Sequence, residues 1–401
     1  MPEIIIEALN RIPVEEQRVE LVERKGIGHP DTICDAVMEE VARALCREYV
    51  AVFGRVLHFN VDKCLLVAGR TEPHVGGGRV LEPMRLIFGD RATAECGGKG
   101  IDIGAIAEAA AKQWLRRNLR FVDPERHVLF QNELREGSPE LADIFAREKI
   151  GANDTSAAIG YAPLSETERL VLACEQHLNS PAAKQRFPEA GEDVKVMGYR
   201  RDRELLLTVA LAFVDRFIPS TATYFARKQE IATTLSDALS RESQTLDRVT
   251  VDINTLDDPA RGEAGMYLTV LGTSAEGGDC GQVGRGNKVS GIISFTRPTG
   301  SEAAAGKNPV SHVGKIYTLL THQLAAEIHA SVPGIREVYV SLGSQIGAPV
   351  NQPAIASAQL ILEAGCALAN VSDFVKAVIE RGLANMSRFT DQLIRGDWPL
   401  S

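Results

Sequence analysis

Hydrophobic residues recur along the chain with two different periods, one typical of helices and one typical of strands. From Ile103 to Trp114 the apolar positions are three or four residues apart, and this spacing predicts a helix over about 102–118. Further helices are predicted over about 32–49, 166–178, 220–239, 311–330 and 372–385.

Shorter runs rich in β-branched and aromatic residues lie between the helices and predict strands. They cover about 56–68, 194–199, 205–213, 249–253, 267–271, 289–295 and 337–341. Strands that follow each other closely, as around Asp202 and around Gly262, favour antiparallel hairpins over repeated crossovers. The sequence therefore predicts a mixed α/β (α+β) fold in which several antiparallel sheets are covered by helices.

Composition excludes several classes of protein. The chain has 401 residues, of which 44% are apolar and 24% charged, so it is globular and long enough for about two or three domains. Its net charge of −9 argues against a nucleic-acid binder, which needs a basic surface. The apolar runs are too short to span a bilayer, and residues 1–9 lack the pattern of a signal peptide. We therefore expect a cytoplasmic protein with no membrane or nucleic-acid partner.

The seven cysteines and eight histidines are scattered, and no spacing typical of a zinc site occurs. Reduced, mostly buried thiols fit this pattern. No linker rich in Pro or Ser divides the chain, so the domains are expected to be interleaved in sequence.

The strongest chemical signal is the glycine-rich segment 277–288, GGDCGQVGRGNK. Glycines let a backbone approach an anion, and cations such as Arg285 and Lys288 neutralise the charge. A flexible surface loop is the alternative, but Asp279 and the cations favour an anion site.

A second segment, GSEAAAGK at 300–307, resembles a phosphate-binding P-loop without matching it. Five residues separate its glycines where the motif has four, and Asn308 stands where Ser or Thr would hold magnesium. Lys307 is therefore either a phosphate ligand outside such a loop or an ordinary surface lysine.

The segment KGIGHPD at 25–31 leads into the helix predicted from about Thr32. Asp31 can simply cap that helix, and His29, between a glycine and a proline, can be a plain loop residue. Taken together, these features suit the binding of a polyphosphate with magnesium. They are a histidine in a loop, a carboxylate beside it, and two loops rich in Gly, Lys and Arg.

Two weaker signals have equally simple explanations. Asn153 and Asp154 precede a glycine turn and fit an Asx turn. Asp193 and Lys195 begin a predicted strand and point to one face, where they also fit an exposed ion pair of little stability.

Five motifs occur together and in order, and as a set they are specific. They are GHPDTICD at 28–35, ANDTS at 152–156, GEDVKVMG at 191–198, GGDCGQVGRGNK at 277–288 and AAAGKNPVSHVGKIY at 303–317. The set resembles the S-adenosylmethionine synthetase (methionine adenosyltransferase) family, in its archaeal-type branch, essentially from end to end.

The resemblance implies a homodimer with active sites at the subunit interface. Each subunit has three similar α/β domains of mainly antiparallel sheet, built from discontinuous segments. By analogy with the family, the domains are 1–22 with 165–274, 23–130 with 275–314, and 131–164 with 315–401.

The resemblance also implies ATP and L-methionine as substrates, with magnesium and usually potassium. Methionine sulfur attacks C5′ of ATP and expels the whole triphosphate, which is then hydrolysed to phosphate and pyrophosphate. Because sulfur is the nucleophile, the chain needs no activated nucleophile of its own.

Residue roles follow from the same resemblance. His29 lies against the leaving oxygen at C5′, and Asp31 holds a magnesium ion. Three cations contact the phosphates, namely Lys195, Arg285 and Lys307. The other residues expected to bind substrate are Asp154, Asp193, Asp279, Lys63, Gly137, Ser138, Asn153 and Lys288.

One departure limits the analogy. In the bacterial and eukaryotic branch a lysine and a magnesium-binding aspartate follow the position of Lys307, but here residues 311–314 are SHVG. No second metal ligand is therefore predicted. The methionine-contacting glutamate of that branch falls near Arg70, and Glu72 is the nearest substitute.

Two other functions are weighed against the enzyme. A regulatory subunit could bind a nucleotide with the same fold and without turnover, but it could lose His29 and Asp31 freely, and both are present. A Walker-type phosphotransferase is contradicted by the glycine spacing and by Asn308.

Overall fold

The computed structural model describes residues 3–137 and 151–398, and these residues contain nine α-helices and eighteen strands. The helices are α1 (Pro30–Phe53), α2 (Ile103–Asn118), α3 (Pro124–His127), α4 (Glu166–Asn179), α5 (Pro181–Arg186), α6 (Thr221–Glu242), α7 (Val313–Ser331), α8 (Leu368–Ala384) and α9 (Met386–Arg395). The predicted mixture of helices and strands is confirmed.

The strands are mostly short, and the longest form a hairpin. They are β1 (Ile4–Ala8), β2 (Val19–Lys25), β3 (Phe59–Val67), β4 (Arg70–Glu72), β5 (Arg79–Glu82), β6 (Met84–Ala92), β7 (Glu95–Cys96), β8 (Lys99–Gly100), β9 (Val128–Asn132), β10 (Ala157–Ala162), β11 (Ala190–Arg201), β12 (Glu204–Val214), β13 (Arg248–Ile253), β14 (Leu268–Thr269), β15 (Gly281–Gln282), β16 (Ile293–Ser294), β17 (Ile335–Gly343) and β18 (Ile355–Leu362).

Three main sheets organise the described residues. The first has the strand order β13-β12-β11-β2-β16, the second β15-β3-β6-β9, and the third β1-β18-β17-β10. Most neighbours are antiparallel, and each sheet also contains a parallel pair. The predicted domain boundaries stay a prediction, and the pairing places β1 beside β18 and β2 beside β11.

One predicted hairpin is confirmed and the other is wrong. Strands β11 and β12 are antiparallel and turn at Asp202, which adopts φ 54°. Around Gly262, however, β13 and β14 do not pair with each other. Both run parallel to β12, one after the other along its length, because the 3₁₀ segment Pro259–Gly265 carries the chain forward instead of reversing it.

Each sheet has its own hydrophobic core, formed where helices cover one face. In the first sheet Val22, Val196 and Leu207 are fully buried in a core that they share with residues of α4 and α6. The opposite face carries Lys195, and Tyr199 on that face is 45% exposed. Catalytic side chains can therefore project from an uncovered sheet face.

The first and third sheets are joined by Arg297, whose side chain is 1% exposed. Its guanidinium donates to Glu168 of α4, to the hydroxyl of Tyr339 on β17 and to the carbonyl of Pro163. Five donors in a rigid plane suit this convergence of acceptors.

All seven cysteines are free thiols, and four of them are buried, as predicted. In 3–137 and 151–398, none of the helices combines the length and the hydropathy needed to cross a membrane.

Candidate active site

Helix α1 begins with the histidine singled out in the sequence. His29 is the N-cap, and its ring Nδ1 accepts a hydrogen bond of 3.2 Å from the backbone N–H of Asp31. Pro30 occupies the first helical position, where its fixed φ suits the helix and its missing N–H is not needed. The capping role considered for Asp31 therefore belongs to His29.

The buried His29 ring is neutral near pH 7. Burial lowers its pKa to about 4, and the cations Lys25 and Lys195 act in the same direction, while Asp31 opposes them. Because Nδ1 accepts a hydrogen bond, the single ring proton is on Nε2. The imidazole can therefore donate that proton in a hydrogen bond while it caps the helix.

The carboxylate of Asp31 does not cap the helix and instead binds two other segments of the chain. One oxygen accepts the N–H of Gln282 at 2.9 Å, and the other accepts the ammonium of Lys25 at 3.0 Å. The same ammonium donates to the carbonyl of Arg285 at 2.6 Å. Lys25, which the sequence did not single out, thus joins the start of α1 to the glycine-rich segment.

Lys25 and Lys195 lie directly opposite each other on β2 and β11. Opposite residues of an antiparallel pair share a face, so both ammonium groups project from the uncovered side of the first sheet. Glu23 of β2 lies between them, 3.7 Å from the Lys25 nitrogen and 3.8 Å from the Lys195 nitrogen. Two ammonium groups and the carboxylate of Glu23 therefore meet where β2 leads to α1.

Asp193 is buried and fixes a loop, so the alternative of an exposed ion pair with Lys195 is wrong. Its Oδ2 accepts both the N–H and the hydroxyl of Ser274, at 2.7 and 2.5 Å. Burial raises the pKa of Asp193 to about 6, and the nearby charge of Asp279 adds to the shift. The β-bulge between Ala190 and Val194 turns this residue away from the regular ladder.

A row of three carboxylates on α1 fastens both glycine-containing loops, and we call it the α1 carboxylate row. Its members are Asp31, Asp35 and Glu39, four residues apart and therefore on one side of the helix. Asp35 accepts the N–H groups of Gly284 and Gly286, at 2.7 and 3.1 Å. Burial raises the pKa of Asp35 to about 7, although those two hydrogen bonds oppose the shift.

The third member of the row, Glu39, reaches the second loop. It accepts the N–H of Gly306 at 3.2 Å and the ammonium of Lys315 at 2.6 Å. The sequence analysis missed this row, although the four-residue spacing of its acids was visible in DTICDAVME at 31–39.

The segment 277–288 is held by hydrogen bonds from its backbone to Asp31 and Asp35. This differs from the alternative interpretation of the segment as a flexible surface loop. At Gly281 a Cβ would lie 2.2 Å from the carbonyl oxygen of Pro30, so the close approach requires glycine. The side chains of Asp279 and Arg285 remain exposed. Lys288 extends toward the carbonyl of Gly300 at 3.5 Å.

Lys307 is 4% exposed, so the alternative of a surface lysine is wrong. Its ammonium pairs with Asp62 and lies 3.4 Å from Glu302. Lys63, on the exposed side of β3, pairs with the same Asp62. Two of the predicted cations thus share one carboxylate.

Two acids in this cluster were missed by the sequence analysis. Asn60 donates to both Asp62 and Asp90, at 2.9 and 3.0 Å, and so holds the two carboxylates side by side. Although burial opposes it, Lys307 holds the pKa of Asp62 well below its usual range. Burial, together with the neighbouring Asp62, raises the pKa of Asp90 to about 6. Asp90 also adopts φ 86°, an uncommon conformation for a residue other than glycine.

The remaining predicted residues lie around this second cluster or at the edge of the described chain. The N–H of Asn153 donates to the carbonyl of Ser311, and the carbonyl of Asp154 accepts the hydroxyl of Ser344. Gly137 lies close to His58, where a Cβ would be 2.6 Å from the ring Nδ1. Ser138 is outside the described residues.

The contacts therefore sort the predicted residues into two groups. The first, which we call the His29 cluster, contains His29, Asp31, Asp193, Lys195, Asp279 and Arg285, with Lys25 and Glu23 added by the structure. The second, the Lys307 cluster, contains Lys63 and Lys307, with Asp62, Asp90 and Glu302 added. The α1 carboxylate row links the loops that carry the two clusters.

Comparison with known proteins agrees with the motifs. The sequence profile of the family described as S-adenosylmethionine synthetase (AdoMet synthetase) matches residues 2–397. The chain belongs to the S-adenosylmethionine synthetase family. An S-adenosylmethionine synthase from Methanothrix thermoacetophila is 46% identical over 397 residues, which cover 98% of both chains. One from Pyrococcus furiosus is 44% identical over 98% of this chain and 97% of its own.

A solved structure of an S-adenosylmethionine synthetase from Campylobacter jejuni has the same fold. The TM-score is 0.61 at 16% identity, and the match covers 93% of this chain and 90% of that chain. The predicted family, its archaeal-type branch and the predicted fold class are confirmed. The protein is an enzyme, a methionine adenosyltransferase, and a transferase of S-adenosylmethionine biosynthesis.

Proposed function

We propose that this methionine adenosyltransferase joins ATP and L-methionine in a single displacement. The methionine sulfur attacks C5′ of ATP, the S–C5′ bond forms, the C5′–O bond breaks, and tripolyphosphate leaves. Water then attacks the bound tripolyphosphate and yields phosphate and pyrophosphate. No protein atom becomes covalently attached in either step, in keeping with the absence of an activated nucleophile from the proposed roles.

The observation that carries the proposal is the neutral His29 ring, which caps α1 and is influenced by the charges of Lys25 and Lys195. Its Nε2–H can donate to the C5′ oxygen as that oxygen gains negative charge. A donor fixed in advance by the helix cap needs no reorganisation during the reaction. A neutral ring also donates without repelling the nearby ammonium groups of Lys25 and Lys195.

The phosphates would lie against three cations, of which Lys307 is held by an ion pair before substrate arrives. Lys195 projects from the uncovered sheet face, and Arg285 lies exposed on the fastened loop. Lys307 belongs to the other cluster, where Asp62 holds it. Stabilisation of a leaving group by such fixed charges typically contributes about 100 to 1000-fold per contact.

The predicted magnesium ion fits Asp31 as a metal that arrives with the nucleotide. Over 3–137 and 151–398, no group of three or more His, Cys, Asp or Glu side chains could hold a metal by itself. Magnesium commonly binds one or two carboxylates together with substrate phosphates. Asp31, which is 6% exposed, would supply one such carboxylate. When bound, the ion would neutralise phosphate charge. The ammonium group of Lys25, which donates to Asp31 in this structure, would donate to a phosphate oxygen instead.

The predicted potassium ion fits the Lys307 cluster. Asn60 Oδ1 is buried beside the carboxylates of Asp62 and Asp90, and among residues 3–137 and 151–398 it has no hydrogen-bond partner. Three oxygen-bearing side chains in one place suit a monovalent cation, either potassium or the ammonium group of methionine. Asp90 and Asn60 would hold that cation and help to position the amino acid.

The proposed assembly is a homodimer with the active site at its interface. The uncovered face of the first sheet carries Lys25 and Lys195 next to Tyr199 and Leu206, which are 45% and 37% exposed. A second copy on this face would bury those apolar side chains and bring its own Lys307 cluster to the first copy's His29 cluster. A cytoplasmic location and the absence of a nucleic-acid partner remain predictions.

The test is one incubation of the purified protein with ATP, L-methionine, magnesium and potassium. We expect S-adenosylmethionine, phosphate and pyrophosphate in equal amounts. ADP as the nucleotide product would contradict the displacement at C5′. ATP binding with none of these products would favour the regulatory alternative instead.

A variant separates the two steps. Arg285→Leu should impair hydrolysis of added tripolyphosphate, because the loop would lose its exposed cation. Arg395→Leu, which removes an exposed arginine at the end of α9, is the matched control. Normal tripolyphosphate hydrolysis by Arg285→Leu would remove Arg285 from the site.

A further inference from the structure

A cavity lined by several arginines lies outside both clusters, and we call it the arginine groove. It has a volume of about 600 Å³ and lies where the start of β5, the segment from Arg120 through α3, the 3₁₀ turn at 215–217 and residues 270–271 meet. Its charged and titratable lining residues are Arg79, Arg120, Asp123, Arg126, His127 and Arg216. Four arginines face one carboxylate here, in a chain whose net charge is −9.

Two of the guanidinium groups are held rigidly. Arg120 pairs with Glu192, which is not part of the lining, and donates to the carbonyl of Ala190 at 2.6 Å. Arg216 donates to the carbonyl of Val270 at 3.0 Å. Both guanidinium carbons lie 4.8 Å from the ring centroid of Phe121, over the ring. Groups fixed in this way lose little freedom when they bind an anion.

The other arginines are less constrained. Arg79 pairs with Glu72 in the β4–β5 hairpin, and its side chain is 72% exposed. Arg126 is exposed at the end of α3, and within 3–137 and 151–398 it has no ion-pair partner. Arg126 can therefore turn toward a bound anion without breaking an existing pair.

His127 completes the lining as a neutral donor. Its Nδ1 accepts the backbone N–H of Asp123 at 3.0 Å, so the ring proton is on Nε2. Burial lowers the pKa of His127; Asp123 opposes this shift, while Arg126 and Arg216 add to it. Arg126, His127 and Arg216 line the same cavity, so their side chains are available to one ligand.

From this geometry we propose that the arginine groove binds a di- or triphosphate group at a site separate from the reaction centre. Guanidinium groups bind phosphate in pairs through parallel hydrogen bonds, and several arginines around one cavity suit an anion with several phosphates. The groove is also large enough, since ligand cavities typically measure about 300–1000 Å³. None of the proposed catalytic cations lines it.

The groove adjoins the reaction centre through two short stretches of chain. Arg120 pairs with Glu192, the residue before the buried Asp193. Leu271 of the lining is two residues from Thr273, whose hydroxyl donates to the carbonyl of Gly28 at 2.6 Å. A bound anion would therefore contact elements that also support His29.

Pyrophosphate binding tests the proposal, measured by isothermal titration calorimetry without added magnesium. The active-site variant Arg285→Leu/Lys307→Met removes two proposed phosphate ligands, and the groove variant Arg126→Gln/Arg216→Gln removes two arginines of the groove. We expect the active-site variant to keep one equivalent of bound pyrophosphate per chain. Adding the groove substitutions to it should weaken that binding roughly tenfold or more.

The matched control is Arg381→Gln/Arg395→Gln, which removes two exposed arginines from α8 and α9 and changes the net charge equally. It should bind pyrophosphate as wild type does. Circular dichroism and melting temperatures test whether each variant is folded. We expect the groove and control variants to fold, because the four arginines that they replace are exposed.

Three results would overturn the proposal. One is loss of all pyrophosphate binding in the folded active-site variant, and another is undiminished binding after the groove substitutions. The third is tighter binding of a short RNA than of pyrophosphate or ATP, which would make the groove a nucleic-acid site. ATP, pyrophosphate and inorganic phosphate, titrated separately, distinguish a nucleotide from free polyphosphate. Because this binding is measured without turnover, its failure is distinct from failure of the proposed reaction.

Discussion

His29 and His312 cap their helices in the same way. In each case the ring Nδ1 accepts a hydrogen bond of 3.2 Å from the backbone N–H two residues later, at the start of α1 and of α7. Burial lowers the pKa of both rings, to about 4 and about 3, with Lys307 adding to the shift at His312. A neutral cap supplies the hydrogen bond but no negative charge, so the positive end of each helix dipole is less compensated than with an aspartate cap. The starts of α1 and α7 are therefore both suited to an anion.

His29→Asn should lower kcat for S-adenosylmethionine formation about 100 to 1000-fold, since a transition-state donor is lost. Asparagine is a good N-cap, so the fold and ATP binding should change little. Steady-state kinetics and the dissociation constant for ATP measure the two effects. His177→Asn, at a half-exposed histidine on α4, should leave both unchanged, and a wild-type kcat in His29→Asn would refute the role.

Lys25→Met should lower kcat/KM for ATP roughly 10 to 100-fold. The substitution removes the charged donor that joins Asp31 to the loop carbonyl of Arg285, and such hydrogen bonds contribute about 1.5–3 kcal/mol each. Lys25→Arg should recover part of the loss, which a purely structural role would not predict. The measurement is a titration of rate against ATP at several magnesium concentrations, and identical curves for Lys25→Met and wild type would exclude the role.

Arg297→Met should destabilise the fold by about 3–5 kcal/mol, because it leaves the buried carboxylate of Glu168 without its partner. Denaturant unfolding measures this difference. Arg381→Met breaks a pair in which both side chains are exposed, and its effect should stay within about 1 kcal/mol. Equal stabilities for the two variants would mean that Arg297 is dispensable at the junction of the first and third sheets.

Acid should destabilise the wild-type protein more than His322→Gln. Burial lowers the pKa of His322 from 6.5 to about 4, so its neutral form contributes stability that is fully present above pH 6.5. That contribution is lost as the pH falls toward 4, because the unfolded state takes up the proton first. Between pH 7.5 and 4.5 wild type should lose roughly 2–3 kcal/mol more than the variant. Parallel losses in urea unfolding at the two pH values would contradict this assignment.

Local patterns predicted most of the elements, because helix and strand periods are short-range properties. The helix predicted over 102–118 is Ile103–Asn118, and the strand predicted over 205–213 is Glu204–Val214. The pairing of the two strands on either side of Gly262 could not be predicted in the same way. Whether two strands pair with each other or both with β12 depends on a third segment that lies distant in sequence.

The motifs also located much of the candidate site, since Gly, His and Lys in loops carry their own chemical signal. They did not show which side chains meet. Asp62 and Asp90 sit in strand sequence and come together only through the β3–β6 pairing and Asn60. Lys25 was not singled out from the segment KGIGHPD, because its contact with the carbonyl of Arg285 spans 260 residues.

The α1 carboxylate row makes part of this helix intolerant of changes in length. Each residue of an α-helix advances by roughly 100° around the axis. Deleting one residue between Asp31 and Glu39 would therefore rotate one acid away from its loop, although every side chain would still be present. A substitution at another position in this stretch should leave the three acids in place, whereas an insertion should separate at least one of them from its loop. The eight-residue interval from Asp31 to Glu39 therefore sets the distance between the two loops.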